Sequence, residues 1–174
     1  MERLIRANLH YLQQAEALLH RLDDEQYSVS AASFYNSSVG GHLRHCLEHY
    51  LSFLEGLGSG KVDYDHRARD EQVETCTRSA VDQVQAISTR LEQLGQSELP
   101  VGLLVKMDCG CDDIEWQPST FGRELQFLVS HTVHHFAMIG GICRSLEVEL
   151  ENDFGVAPST VRHRAQLESS FVRE

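Results

Sequence analysis

The sequence predicts an all-α domain, an antiparallel four-helix bundle with a short β-hairpin inserted between the third and fourth helices. Three observations lead there. Apolar residues recur at steps of three and four along four long stretches, the spacing of helices with one buried face. The connections between these stretches are long enough for the helices to lie side by side in one antiparallel bundle. Around residues 101–117 the helical period gives way to two short apolar runs about a polar turn. The 174 residues suit one domain spanning 1–174, large enough to bury a core without disulfide staples.

The first helix is expected over residues 2 to about 22, with Ile5, Leu9, Leu12, Ala15, Leu19 and Leu22 inward. Asp23, Asp24 and Glu25 end it in a polar connection. Ser37 or Ser38 offers an N-cap for the second helix, which runs to about residue 57 on a stripe of Val39, Leu43, Cys46, Leu47, Tyr50 and Leu54. Gly56, Gly58 and Gly60 stop it. Asp70 caps the third helix, to about residue 94, and Glu71 and Glu74 suit the positive end of its dipole. Residues 101–107 and 114–117 read as the two strands of the hairpin, flanking a turn that contains Cys109 and Cys111. Residues 118–120 open the fourth helix, which continues to about residue 150 and buries Phe121, Leu125, Leu128, Val129, Thr132, Phe136, Ile139, Cys143 and Leu146. Residues 152–160 fold back over the bundle end, and Ser159 or Thr160 caps a last short helix.

Composition narrows the function. Hydrophobic residues at 41% and charged residues at 24% are an ordinary globular balance. No apolar run approaches the ~18 residues of a membrane span, and the charged N-terminus lacks a signal core. A cytoplasmic location is the expectation. A net charge of −11 argues against nucleic acid and anionic membrane surfaces as partners. Five cysteines cannot all pair within the chain and are expected as reduced thiols.

The unusual number is ten histidines, six of them in two clusters: His42, His45, His49, and His131, His134, His135. His131 and His135 are four apart, so a helix presents both imidazoles on one face. Two such groups can grip a metal ion if a third ligand comes from a facing helix, and the second helix carries three candidates. At ~100° per residue, His42 and His49 sit on the shoulder of the apolar stripe and His45 lies further round, so periodicity alone selects His42 or His49. Three neutral imidazoles leave an ion with an open position, as at catalytic rather than structural sites. Such a position activates water, or a thiol held as thiolate.

Ser38-Val39-Gly40-Gly41-His42-Leu43-Arg44-His45, with a Ser seven residues before a His, resembles the helix-2 signature of the DinB-like superfamily. His131-Thr132-Val133-His134-His135 resembles its helix-4 His-x-x-x-His signature. The likeness covers most of the chain, including helix count, order and motif placement. It implies a four-helix bundle holding one divalent ion (zinc, nickel or iron) on His45, His131 and His135. This choice of His45 departs from the periodicity, and His49 is the fallback. It also implies a small-molecule substrate, in some relatives a low-molecular-weight thiol, and homodimers as an available assembly.

Other residues have weaker claims. His49 and His134 are candidates for proton transfer, and with His42 for orienting a ligand; the alternative is surface or packing histidine. Glu48 and Glu124 could orient an imidazole, against a default of solvated carboxylates. Arg67 and Arg69, beside Tyr64, suit an anionic substrate at the bundle mouth, against a default of charged surface loop. Cys109 and Cys111 read as two thiols in a turn, since no second cysteine pair completes a zinc site. Cys46 and Cys143 read as small core residues. The chain lacks the paired Glu-x-x-His of di-iron bundles, the His-Glu-x-x-His of zinc proteases, the Gly-x-Ser-x-Gly elbow and the phosphate-binding loop. With the resemblance, two functions are expected: a metal-dependent hydrolase or thiol S-transferase, or alternatively a non-enzymatic metal-sensing, structural or dimerisation module.

Overall fold

In a computed structural model, which describes residues 1–34, 36–95, 102–110 and 114–171, the chain is mostly helical with one small sheet. Four long helices make the frame: α1 (Glu2–Leu19), α3 (Val39–Gly56), α5 (Thr77–Leu94) and α6 (Phe121–Ser145). Between them lie the short α2 (Asp24–Ser28) and α4 (Glu71–Thr75), and α7 (Pro158–Phe171) follows. α1 packs on α5 and α6, and α3 packs on the same two helices. The order around the core is therefore α1, α5, α3, α6, so α1 and α3, adjacent in sequence, sit across the core from each other. The 19 residues between them, with α2 inside, make that crossing possible.

The core is the sum of the apolar stripes. Leu12, Ala15, Leu43, Leu47, Phe53, Val84, Ile87, Leu91, Leu125, Leu128, Phe136 and Ile139 are all buried, and removing such side chains from water is the main driving force. A polar strut crosses this core. Tyr50 Oη donates to Asn8 Oδ1 at 2.9 Å and lies 3.2 Å from Thr132 Oγ1, while Asn8 Nδ2 donates to the carbonyl oxygens of Leu4 and Leu125. All three residues are buried and all are bonded, as burial demands. The strut ties α1, α3 and α6 at one level.

The caps explain several boundaries. Ser38 Oγ accepts from Gly41 N, Asp70 from Gln72 N, and Thr120 Oγ1 from Arg123 N. Asp23 and Gln26 form a capping box, so the expected polar connection after α1 contains a helix. The expected third helix is two helices, α4 and α5, because Cys76 is extended (φ −125°, ψ 115°). The break is stabilised from elsewhere in the chain: Asp24 Oδ1 accepts from both Thr77 N (2.8 Å) and Thr77 Oγ1 (2.7 Å), capping α5. Tyr27 Oη donates to Val73 O at 2.7 Å and holds α4. Gly40 is required here, since a Cβ on it would stand 1.9 Å from Glu74 O.

The sheet has three strands in the order β1 (Lys61–Asp63), β2 (Gly102–Lys106), β3 (Gln117–Thr120). β2 and β3 are antiparallel, with Leu103 opposite Ser119. The second strand lies three residues later than expected and takes in Pro118, Ser119 and Thr120, so α6 begins at Phe121. β1 was not anticipated. It pairs parallel to β2, Val62 opposite Val105, and Tyr64 N extends the ladder by donating to Lys106 O at 3.0 Å. α6 stops at Ser145, short of residue 150, and Glu147 takes a positive φ of 58°. Residues 153–156 do fold back: Tyr11 Oη donates to Val156 O, Gln14 bonds both Asp153 O and Gly155 N, and Phe154 stacks on Phe136 at 4.8 Å. Pro158 occupies the first turn of α7, where its missing N–H has no cost. No helix among the described residues is long and apolar enough to cross a membrane.

Candidate metal centre

The histidines of α3 and α6 meet because those two helices pack along each other. One ring nitrogen from each of His45, His131 and His135 lies within 4.8 Å of the others, the single such cluster among the described residues. Ring centroids are 4.6 Å apart for His45–His135 and His131–His135, and 4.9 Å for His45–His131. His131 and His135 are one turn apart on α6, and His45 faces them from the second turn of α3.

Electrostatics keep these rings neutral. Burial lowers the His45 pKa to about 3, helped by neighbouring His49 and His135 and by the cations Arg67 and Arg44. His131 falls to about 2 and His135 to about 4, again first through burial and then through surrounding imidazoles. A neutral imidazole has a lone pair to give, which a protonated one lacks. His131 Nε2 is buried with no hydrogen-bond partner, and a buried polar atom without a partner is costly unless something else takes it. Three neutral imidazoles from two helices, one with an orphaned nitrogen, are a donor set that fits a divalent ion such as zinc.

His42 and His49, which periodicity set on the shoulder of the stripe and favoured as ligands, are buried at 8% and 4% exposure, and neither belongs to the convergent trio. His49 Nδ1 donates to the His45 carbonyl oxygen at 2.8 Å, which leaves Nε2 as its lone-pair nitrogen. Its ring stacks on His131 at 4.1 Å and on Tyr64 at 5.3 Å. His42 Nδ1 lies 3.1 Å from His135 Nδ1, so one donates to the other, and His42 Nε2 is buried without a partner. His134 is exposed, with its ring edge-on to His135 at 5.0 Å. It lies beside the cluster rather than within it.

Glu48 and Glu124 are not solvated carboxylates: they are 5% and 2% exposed. Neither bonds an imidazole. Glu48 Oε1 accepts from Arg44 Nη1 at 3.0 Å, and Arg44 Nε also binds Glu74 at 2.8 Å. Glu124 accepts from Tyr64 Oη at 2.7 Å and from Ser119 Oγ. Tyr64 is buried, and that burial, then the Glu124 charge, raises its phenol pKa.

The segment after β1 covers the site. Asp63 Oδ1 accepts from the backbone N of Asp65 and His66 and turns the chain. This turn seats Tyr64 against His49 and brings Arg67 Nη1 to donate to His45 Nδ1. Arg69 is exposed, at a φ of +53°. Among the cysteines, Cys46 and Cys143 are buried, Cys109 is exposed, and Cys111 lies outside the described residues. The pairing of Tyr64 with Glu124 and the Arg44–Glu48–Arg67 row escaped the sequence reading. One signal was present for the second: His45, Glu48 and His49 recur at i, i+3 and i+4, which puts a carboxylate on the histidine face.

The model of the DinB superfamily matches residues 10–139, three quarters of the chain. Solved structures share the fold. A DinB-like protein from Bacillus cereus has a TM-score of 0.65 at 16% identity, over 87% of this chain and 96% of its own. YfiT from Bacillus subtilis, described as a probable metal-dependent hydrolase with an unusual four-helix bundle topology, has a TM-score of 0.62 at 14% identity, over 85% and 88%. In sequence, 104 residues are 32% identical to FK506-binding protein 5 from Rhizopus delemar, 59% of this chain but only 27% of that protein, so the match spans about a quarter of the relative's length. With a family model covering most of its helical frame, the chain belongs to the DinB superfamily.

Proposed function

We propose that this chain is a single-domain antiparallel four-helix bundle that holds one divalent metal ion on His45, His131 and His135 and acts on a small molecule, by hydrolysis or by transfer of a thiol. The observation that supports it is the convergence of three neutral imidazoles from α3 and α6 within 4.8 Å. When bound, the ion would supply Lewis acidity, lowering the pKa of a water or thiol at its open position. The chain's own residues do the rest. With an ion on His135 Nε2, the His135 proton would sit on Nδ1 and His42 Nδ1, 3.1 Å away, would accept it and hold that tautomer. His49 stacks on His131 and orients it. With Nδ1 held by a carbonyl, His49 Nε2 is the group placed to take a proton. His134, exposed, is the lesser proton-transfer candidate. Tyr64 excludes water from the His49 side of the cluster.

The metal (zinc, nickel or iron), a cytoplasmic location and a homodimer belong to the same proposal. The test is elemental analysis of protein purified without a chelating column or tag, followed by turnover screens of the loaded protein over esters, amides and thiol donors. About one ion per chain, lost in His131→Ala, supports the site; a protein that neither carries nor takes up zinc or nickel sinks it. The cover of Tyr64 and Arg67 over the imidazoles favours a second reading, an ion held for sensing, structure or dimerisation. That reading expects metal to raise the melting temperature or drive dimerisation with no turnover in any screen.

A further inference from the structure

We propose that Arg67 is the substrate-recognising cation of the three-histidine site, and that the substrate carries a carboxylate. This inference rests on the metal-binding reading above and names the chemical class that the site takes.

The argument is a count of donors and lone pairs. A neutral imidazole has one N–H and one lone-pair nitrogen. Here Arg67 Nη1 donates to His45 Nδ1, so the His45 proton is on Nε2 and neither nitrogen is free for an ion. If an ion takes Nδ1, it takes the lone pair that Arg67 uses. If it takes Nε2, the proton moves to Nδ1 and faces a guanidinium that has only donors. In both cases the Arg67–His45 bond ends when His45 becomes a ligand.

Arg67 then needs another partner. Its side chain is only 17% exposed, and its Nε is buried with no hydrogen bond. A guanidinium does not shed its charge. The carboxylate beside it, Glu48, stands 4.0 Å away and already accepts from Arg44 through its other oxygen. The charges of this row are Arg44 and Arg67 against Glu48 and Glu74. Arg44 engages both carboxylates at 3.0 and 2.8 Å, and Arg67 engages neither at hydrogen-bond distance. The Nε and Nη edge of a guanidinium is a planar fork that matches a carboxylate bidentately. Rooted through Tyr64 on β2, the segment holds the guanidinium against His45, one of the three proposed ligands.

The rival outcome is that Arg67, once displaced, closes on Glu48 Oε2, which is itself buried without a partner. Cobalt(II)-loaded protein separates the two. The visible spectrum is titrated first with cobalt and then with acetate, for the unaltered chain, Arg67→Met and Arg67→Lys, with melting temperatures showing that each is folded. The proposal expects acetate to bind the unaltered protein at least about tenfold more tightly than Arg67→Met, the scale of a lost charge-assisted hydrogen bond. Arg67→Lys falls between. Cobalt affinity in Arg67→Met stays equal or rises, because a competing donor and a positive charge are gone. Equal acetate affinity in all three proteins overturns the assignment while leaving the metal site intact. An unaltered protein that takes up no cobalt overturns both readings.

Discussion

Replacing His42 with Ala isolates the hydrogen bond behind the proposed ligand His135. The two Nδ1 atoms are 3.1 Å apart. With an ion on His135 Nε2, His135 Nδ1 carries the proton and His42 Nδ1 accepts it. Loss of such a partner costs about 10- to 100-fold in metal affinity. A neutral hydrogen bond is worth about 0.5–1.5 kcal/mol, which at about 1.4 kcal/mol per decade is about 2- to 12-fold, and the two ranges meet near tenfold. The metal-free protein responds differently. The substitution opens a gap at a residue 8% exposed. It also breaks the bond to His135, which is present without the ion, but removes Nε2, buried without a partner, an orphan that costs about 1–3 kcal/mol. These effects oppose each other, so metal-free stability shifts by no more than about 1 kcal/mol. Zinc affinity is read by competition with a chromophoric chelator, and metal-free stability by urea melts. His42→Gln, whose amide oxygen can accept, recovers part of the affinity. Affinity in His42→Ala within twofold of the unaltered protein refutes the argument.

Three further outcomes are expected. His131→Ala and His135→Ala abolish stoichiometric metal uptake and His134→Ala retains it, by elemental analysis; full occupancy in His135→Ala removes it from the ligand set. Tyr50→Phe strands Asn8 Oδ1 in the core and lowers urea stability by about 1–3 kcal/mol; an unchanged midpoint shows the strut to be idle. Acid destabilises the metal-free protein early. The unfolded chain takes up protons below about pH 6.5, while the folded His45, His131 and His135 refuse them until about pH 3, 2 and 4. The unfolded state then binds more protons, so stability is full above pH 6.5 and falls continuously as pH drops toward 4. Urea midpoints at pH 7.5, 6 and 5 that do not decline contradict the burial of neutral rings.

Much of this protein is local, and local features are legible in a sequence. The four apolar stripes are intrinsic to residue spacing, and the caps Ser38 and Asp70 act within three residues of themselves. His131 and His135 share a face because four residues make about one turn. Periodicity put His42 and His49 only on the shoulder of the stripe, and packing buries both. It did not place His45, because the stripe marks the core and the trio forms at its edge, where α3 meets α6. The resemblance to known bundles supplied that residue, and the geometry brings it to the other two.

What the sequence left open depends on partners distant along the chain. α4 and α5 separate at Cys76 because Asp24, 53 residues from Thr77, supplies the cap. β1 exists because β2, some 40 residues later, offers a ladder to three residues too few to form a strand alone. Glu124 is buried because Tyr64 and Ser119 reach it, and Arg67 meets His45 because that same β1 pairing aims the segment behind it. The sequence by itself determined where the four long helices lie and which of their faces are apolar, since both follow from spacing within a few residues. Only the tertiary structure decided which helices are neighbours and which histidines converge. Those outcomes depend on packing and hydrogen bonds between groups that the chain brings together only by folding.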